Sequence, residues 1–166
     1  MADKIKHDKA VYYSDYVERW DFFDDEKYRK HIQEGRDLGQ CMLNAFYDAF
    51  EAGHEKMVLV GSDIPDISKS IIEEAFKKLD DADVVVGPAE DGGYYLLGLK
   101  DAHASLFEGK TYSHDKVLEE LLEEAEDAEL KVARLKTLFD IDNKEDMVKA
   151  GIQIVYEDEE DDPDAL

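Results

Sequence analysis

The sequence predicts a single α/β domain of three layers, with helices on both faces of a mainly parallel sheet, and two stretches carry the prediction. The first is Met57-Val58-Leu59-Val60-Gly61, an apolar run short enough, and branched enough at Cβ, for a strand covered on both faces. Behind it Ile71, Ile72, Ala75, Phe76 and Leu79 recur at helical spacing, with Asp66 or Ser68 placed to cap the free amides. The second stretch, Val84-Val85-Val86-Gly87, is another buried run and completes a strand, helix and strand crossover. Pro88 ends it, and Gly92-Gly93 turns the chain back into Tyr94-Tyr95-Leu96-Leu97-Gly98-Leu99. Open α/β sheets gather ligands at the carboxyl ends of their strands, so Asp63, just past the first run, stands where a divalent cation would be held.

The length of 166 residues suits one domain, residues 1–156, followed by an acidic disordered tail at 157–166, where seven of the eight positions from Glu157 to Asp164 are acidic. The 43 acidic residues outnumber the 20 basic ones, and a net charge of −23 repels a nucleic-acid backbone. No apolar run approaches the roughly 20 residues that span a bilayer, and Met1 to Lys9 lacks the apolar stretch of a signal peptide. The expected setting is therefore cytoplasmic, with neither nucleic acid nor membrane as partner. The single cysteine, Cys41, leaves no internal disulfide and falls on an apolar helical face as core filler.

In chain order, Ala10-Val11-Tyr12-Tyr13-Ser14 is the first strand candidate. The segment Asp15 to Tyr28 carries Tyr16, Trp20, Phe22 and Phe23, rings that would stack on a base or, more commonly, close a satellite core. Gln33-Glu34-Gly35-Arg36-Asp37-Leu38-Gly39 then leads into an amphipathic helix of Met42, Leu43, Phe46, Ala49 and Phe50. A glycine-bearing loop there either presents amides to an anion or is an ordinary turn and cap. Beside the double glycine, Glu90 and Asp91 are either turn residues or contacts to a metal or a sugar hydroxyl. Ser113 is placed to cap a helix whose apolar face is Val117, Leu118, Leu121, Leu122 and Ala125. His114 has no orienting partner in sequence and reads as an exposed side chain rather than a base. A β-like run follows from Leu130 to Leu135. Asp142 with Glu145 makes a capping box for a helix from Lys144 to Ala150, and Asp142 suits a metal equally well. Ile152 to Tyr156 is the last strand candidate.

VLVGSDIPDIS and VVVGPAEDGGYYLLGL together resemble the signature of an uncharacterised bacterial glycosyltransferase-like family with the GT-A, nucleotide-diphospho-sugar transferase fold, distantly similar to the guanylyltransferases of cofactor synthesis. The resemblance covers roughly Ala10 to Val155 and implies a Rossmann-like sheet. It also implies that Gln33, Gly35, Asp37, Leu38 and Gly39 lie against a nucleotide, though Cys41 replaces the arginine usual before Met42. Asp142 would face Asp63 across an Mg²⁺ or Mn²⁺ ion. Glu90, Asp91, Gly92, Gly93, Tyr94, Tyr112 and Ser113 would contact the substrate; Tyr112-Ser113-His114 stands where the family tends to show Trp-Ser-Thr.

The family's opening strand and its Lys-Thr-Arg-Leu phosphate loop have no counterpart before Ala10, so an N-terminally incomplete domain is expected. A homodimer covering the exposed sheet edge would follow. The function implied is glycosyl or nucleotidyl transfer on a nucleotide or nucleotide sugar with a divalent metal, weak or absent in this form. The alternative is a non-catalytic binding or assembly module that retains the fold.

Overall fold

A computed structural model describes residues 5–18, 21, 23–61 and 66–138. The main sheet contains β3 (Met57–Val60), β4 (Val84–Pro88), β5 (Tyr94–Leu99) and β6 (Val132–Arg134), in the order β3-β5-β4-β6. Two further strands, β1 (Ala10–Tyr13) and β2 (Arg29–Ile32), form a separate parallel pair. The helices are α1 (Leu38–Glu51), α2 (Lys69–Lys78) and α3 (Val117–Asp127).

The expectation of a mainly parallel sheet needs correcting at its centre. β5 lies between β3 and β4 and runs antiparallel to both, while only β4 and β6 pair in parallel. The cause is local. Gly92 adopts φ +92, which lets the chain reverse after β4 and pair beside it at once, where a parallel return would need a long crossover. β3, β4 and β6 still share one direction, so their carboxyl ends meet at one edge of the sheet.

Alternation along the strands divides the core between two faces. Val84, Val86, Leu97 and Leu99 join Met42, Leu43 and Phe46 of α1 and Leu121 and Ala125 of α3. Val85 and Leu96 join Ile71, Ile72, Ala75 and Leu79 on the α2 side. Tyr95 breaks strict alternation by packing on the same side as Leu96, and the reason is a register shift at Gly87/Pro88. Its ring lies over Gly87, where a Cβ would come within 2.4 Å of Cζ.

Of the two helix caps expected, the one at Ser68 is found and the one at Ser113 is not. Asp37 accepts the Gln40 amide at 2.8 Å, and Ser68 accepts that of Ile71 at 3.4 Å, so α1 and α2 have side-chain caps. α3 starts later than expected, at Val117, and Ser113 does not cap it. Ser113 instead sits in the left-handed region at φ +68, three residues short of the Lys116 cap position.

β2 was not foreseen. Arg-Lys-His-Ile carries no apolar alternation, and its strand is completed by pairing with β1 rather than by burial. Among the described residues the linking segment makes several polar contacts. The Lys30 ammonium meets Asp21 at 3.0 Å and Asp25 at 2.6 Å, with the Lys30 and Asp21 side chains only 10% and 12% exposed. Tyr28 is buried and Phe23 packs edge-on against it, as a satellite core would require, whereas Tyr16 is exposed; Trp20 and Phe22 lie outside the described residues.

Candidate functional site

Everything at the carboxyl edge of the main sheet is set by where β3, β4 and β6 stop. Gly61, the residue after β3, donates its amide to the Tyr95 carbonyl at 3.0 Å. On the other side Ala89 bridges Leu138 in parallel, and Glu90 donates to the Leu138 carbonyl at 3.0 Å. The chain therefore leaves for Asp63 and for Asp142 from the same edge. Asp63 and Asp142 themselves lie outside the described residues, and among the described residues no group of three His, Cys, Asp or Glu side chains could hold a metal ion.

The Glu90–Gly93 turn is tightly built. Asp91 accepts the Gly93 amide at 2.8 Å, so one of its oxygens serves the turn, while Glu90 stays exposed. Gly92 is irreplaceable for two reasons. It holds φ +92, and a Cβ there would stand 2.0 Å from the Asp115 carbonyl. Its own carbonyl accepts the Leu118 amide at 3.0 Å, which fastens the turn to the first turn of α3.

The amino end of α1 reaches this same region. Its preceding loop is held through its backbone and Gln33: Gln33 donates to the Tyr12 carbonyl at 3.3 Å, while from α1 Asn44 donates to the Glu34 carbonyl at 2.7 Å and Gln40 accepts the Arg36 amide at 3.0 Å. Gly35 packs on Cys41, with space for no side chain. Two amides of the first turn, those of Leu38 and Gly39, have no acceptor within the helix itself. Leu38 is half exposed. Gly39 is buried against the Phe107 carbonyl and the Tyr112 hydroxyl, each 2.7 Å from where a Cβ would stand.

Tyr94 and Tyr112 tie these parts together. The Tyr94 hydroxyl reaches the Met42 sulfur at 3.9 Å. Burial, then the neighbouring Tyr112, push its ionisation far above the ordinary phenol value. Tyr112 is raised to about 12, chiefly by burial, with Asp37 and Glu120 adding negative charge nearby. Its hydroxyl is shut off from solvent, and the Tyr94 hydroxyl beside it partly offsets the rise by hydrogen bonding.

His114 departs from the exposed side chain expected of it. It is half-buried, its Nδ1 accepts the Lys116 amide at 3.2 Å, and its Nε2 lies 2.9 Å from the Thr111 carbonyl. The Glu120 carboxylate also lies 3.8 Å from Nε2. Both nitrogens are thus committed to the loop before α3, and neither is left for a substrate.

Of the predicted residues, the structure brings Gly39, Tyr94 and Tyr112 into one place and fastens Gly92 beside them. Gln33 is turned to β1, and Ser113 is exposed. Sequence reasoning missed Met42, Phe107 and His114 as parts of this arrangement. Only His114 carried a local signal, since its backbone partners lie two and three residues away.

The family model described as "Uncharacterized protein conserved in bacteria (DUF2064)" matches residues 1–114, and the chain belongs to that family. Among solved structures, it is similar to a protein of Desulfovibrio desulfuricans G20 described as a "putative nucleotide-diphospho-sugar transferase", with a TM-score of 0.76 and 30% identity. The likeness covers 85% of this chain and 64% of that one, so the chain spans a little under two thirds of that relative's length. No curated protein matches the sequence. No helix among the described residues is long and apolar enough to cross a membrane.

Proposed function

We propose that this member of the bacterial family binds a nucleotide or nucleotide sugar together with Mg²⁺ or Mn²⁺ and transfers a glycosyl or nucleotidyl group, on a three-layer Rossmann-like scaffold. One observation carries the reading: the tethers of Asp63 and Asp142 leave the same sheet edge. Gly61 and Leu138 stand at opposite sides of a four-strand sheet, about 14 Å apart at ~4.8 Å per strand. Two residues of chain reach about 7 Å and four reach about 14 Å, so the two carboxylates can meet over that gap. Their hard oxygens suit Mg²⁺ or Mn²⁺, and such an ion, when bound, neutralises charge developing on a leaving phosphate.

The chain's own residues supply the rest. In this proposal the α1 amides of Leu38 and Gly39, with the loop residues Gln33, Gly35 and Asp37, orient the nucleotide. Glu90, Asp91, Gly92 and Gly93 shape the acceptor side, with Tyr94, Tyr112 and Ser113. We expect Asp63→Asn to weaken Mn²⁺ binding at least ten-fold by calorimetry; equal affinity in both proteins would remove Asp63 from the site.

A second reading, a binding or assembly module without turnover, is favoured by the commitment of His114 and of one Asp91 oxygen to backbone groups, which takes two acid–base candidates among the described residues out of play. Nucleotide binding without any hydrolysis of nucleotide sugars would select it. A cytoplasmic homodimer belongs to the same proposal, because the outer edge of β3 has no ladder partner among the described residues. Sedimentation at micromolar concentration should give twice the monomer mass, and a single compact monomer would end that part.

A further inference from the structure

A groove of about 330 Å³ runs along α3 and reaches Gly92. Leu118 and Leu122 line it, each half-buried, packed against the main core on one side and open to the groove on the other. Its rim is acidic, formed by Asp115, Glu119, Glu123 and Glu126. The carboxylates of α3 differ in how they are met. Glu124 lies 3.8 Å from the Lys110 ammonium, and Glu120 lies 3.8 Å from the His114 ring. Among the described residues no cation pairs with any of the four on the rim. That arrangement works against the helix itself. Glu119 and Glu123 stand one turn apart, as do Glu123 and Glu126, so like charges face each other along a stripe. Glu126 also sits in a last turn without a basic residue, where negative charge opposes the helix dipole.

We propose that this groove docks a basic amphipathic segment of a partner protein, with an apolar side chain entering beside Leu118 and Leu122 and lysines or arginines lying over the carboxylate rim. Chemistry and length select that occupant. The leucines gain only from apolar groups taken out of water, so a bare cation leaves them unused. The unmatched carboxylates attract a cationic segment, and they repel nucleic acid, an anionic membrane surface and a second copy of a chain carrying −23. From Leu118 to Glu126 the helix rises about 12 Å at ~1.5 Å per residue, enough for roughly two turns of a second helix laid along it. The Gly92 carbonyl holds the Leu118 amide at 3.0 Å, so a docked segment would abut the Glu90–Gly93 turn. Docking there requires nothing of the nucleotide reading.

The rim charges can be removed without harm to the fold, because Glu119 and Glu123 are exposed and repel each other. Glu119→Gln with Glu123→Gln is therefore the test variant. Glu55→Gln with Glu73→Gln, equally exposed and outside the groove, is its charge-matched control. The probe is a fluorescein-labelled helical peptide of lysine and alanine, about four turns long, with two leucines one turn apart; its twin carries serine in place of both leucines. At physiological salt, fluorescence anisotropy should show the leucine peptide binding the parent about ten-fold more tightly than the serine twin. The rim variant should weaken the leucine peptide about five-fold, and the control less than about two-fold. Equal affinity for the two peptides would leave only diffuse charge attraction, as would equal losses in the two double variants. Either result overturns the groove, and so does a parent that binds neither peptide. If the parent sediments as a dimer and the rim variant as a monomer, the occupant is a second copy and the partner proposal falls.

Discussion

The main sheet and the β1–β2 pair are built on different physics within one chain. At the sheet centre Val84, Val85, Val86, Leu96, Leu97 and Leu99 are fully buried, and their neighbours in the core are apolar. Beside the β1–β2 pair one ring among the described residues, Tyr28, is buried, and the other contacts there are Lys30 between two aspartates, stacking of Tyr12 on His31, and Asp8 against Arg29 and His54. Tyr12 also leans on α1, where burial and then Asp48 push its ionisation up to about 12. Apolar burial is non-directional and cumulative, whereas each ionic contact gains little where water still reaches it. The two regions should therefore respond to different perturbations.

The largest effect is expected in the sheet. Leu97→Ala removes a fully buried side chain packed by α1 and α3, and should lower global stability by about 3 to 4 kcal/mol in urea unfolding. A loss under about 1 kcal/mol would mean that the sheet centre is not where stability is stored.

Lys30→Met sharpens the contrast from the other side. It should speed hydrogen exchange at the amides joining β1 to β2, those of Arg29 and Gln33, without changing exchange at Val85 or Leu97. Equal acceleration in both places would show one cooperative unit instead of two.

Acid makes the mildest test. Desolvation works against the charge of Asp21, but Lys30 and the Phe23 amide outweigh it and hold its carboxyl below the ordinary range. A depressed folded value contributes stability above the unfolded value near 3.9 and loses it as the pH falls through the folded one. Exchange at Arg29 and Gln33 should accordingly quicken below about pH 4, before that of the sheet centre. If the sheet loosens first, the ionic account of the β1–β2 pair is wrong.

The sequence by itself determined the elements whose signal is local. The apolar runs at Met57–Val60 and Val84–Gly87, the helical spacing of Ile71 to Leu79 and of Met42 to Phe50, and the cap at Ser68 are all written within a few neighbouring residues, because burial period and amide capping act over that range. The reversal at Gly92-Gly93 was legible too, for only that backbone turns so sharply.

Tertiary structure alone decided the rest. Placing β5 between β3 and β4 depends on pairing across nearly forty residues, from Val60 to Leu96, which no window of sequence contains. β2 became a strand only because β1 offered it a ladder. Ser113 looked like a cap by spacing, yet the staple of His114 and the packing of Tyr112 on Gly39 hold it left-handed and start α3 later. The meeting of Gly39, Tyr94 and Tyr112 is likewise a property of three elements packed together. Residue types can nominate a site, but contact between distant segments is made by the core that draws them in, and that core is a sum over the whole chain.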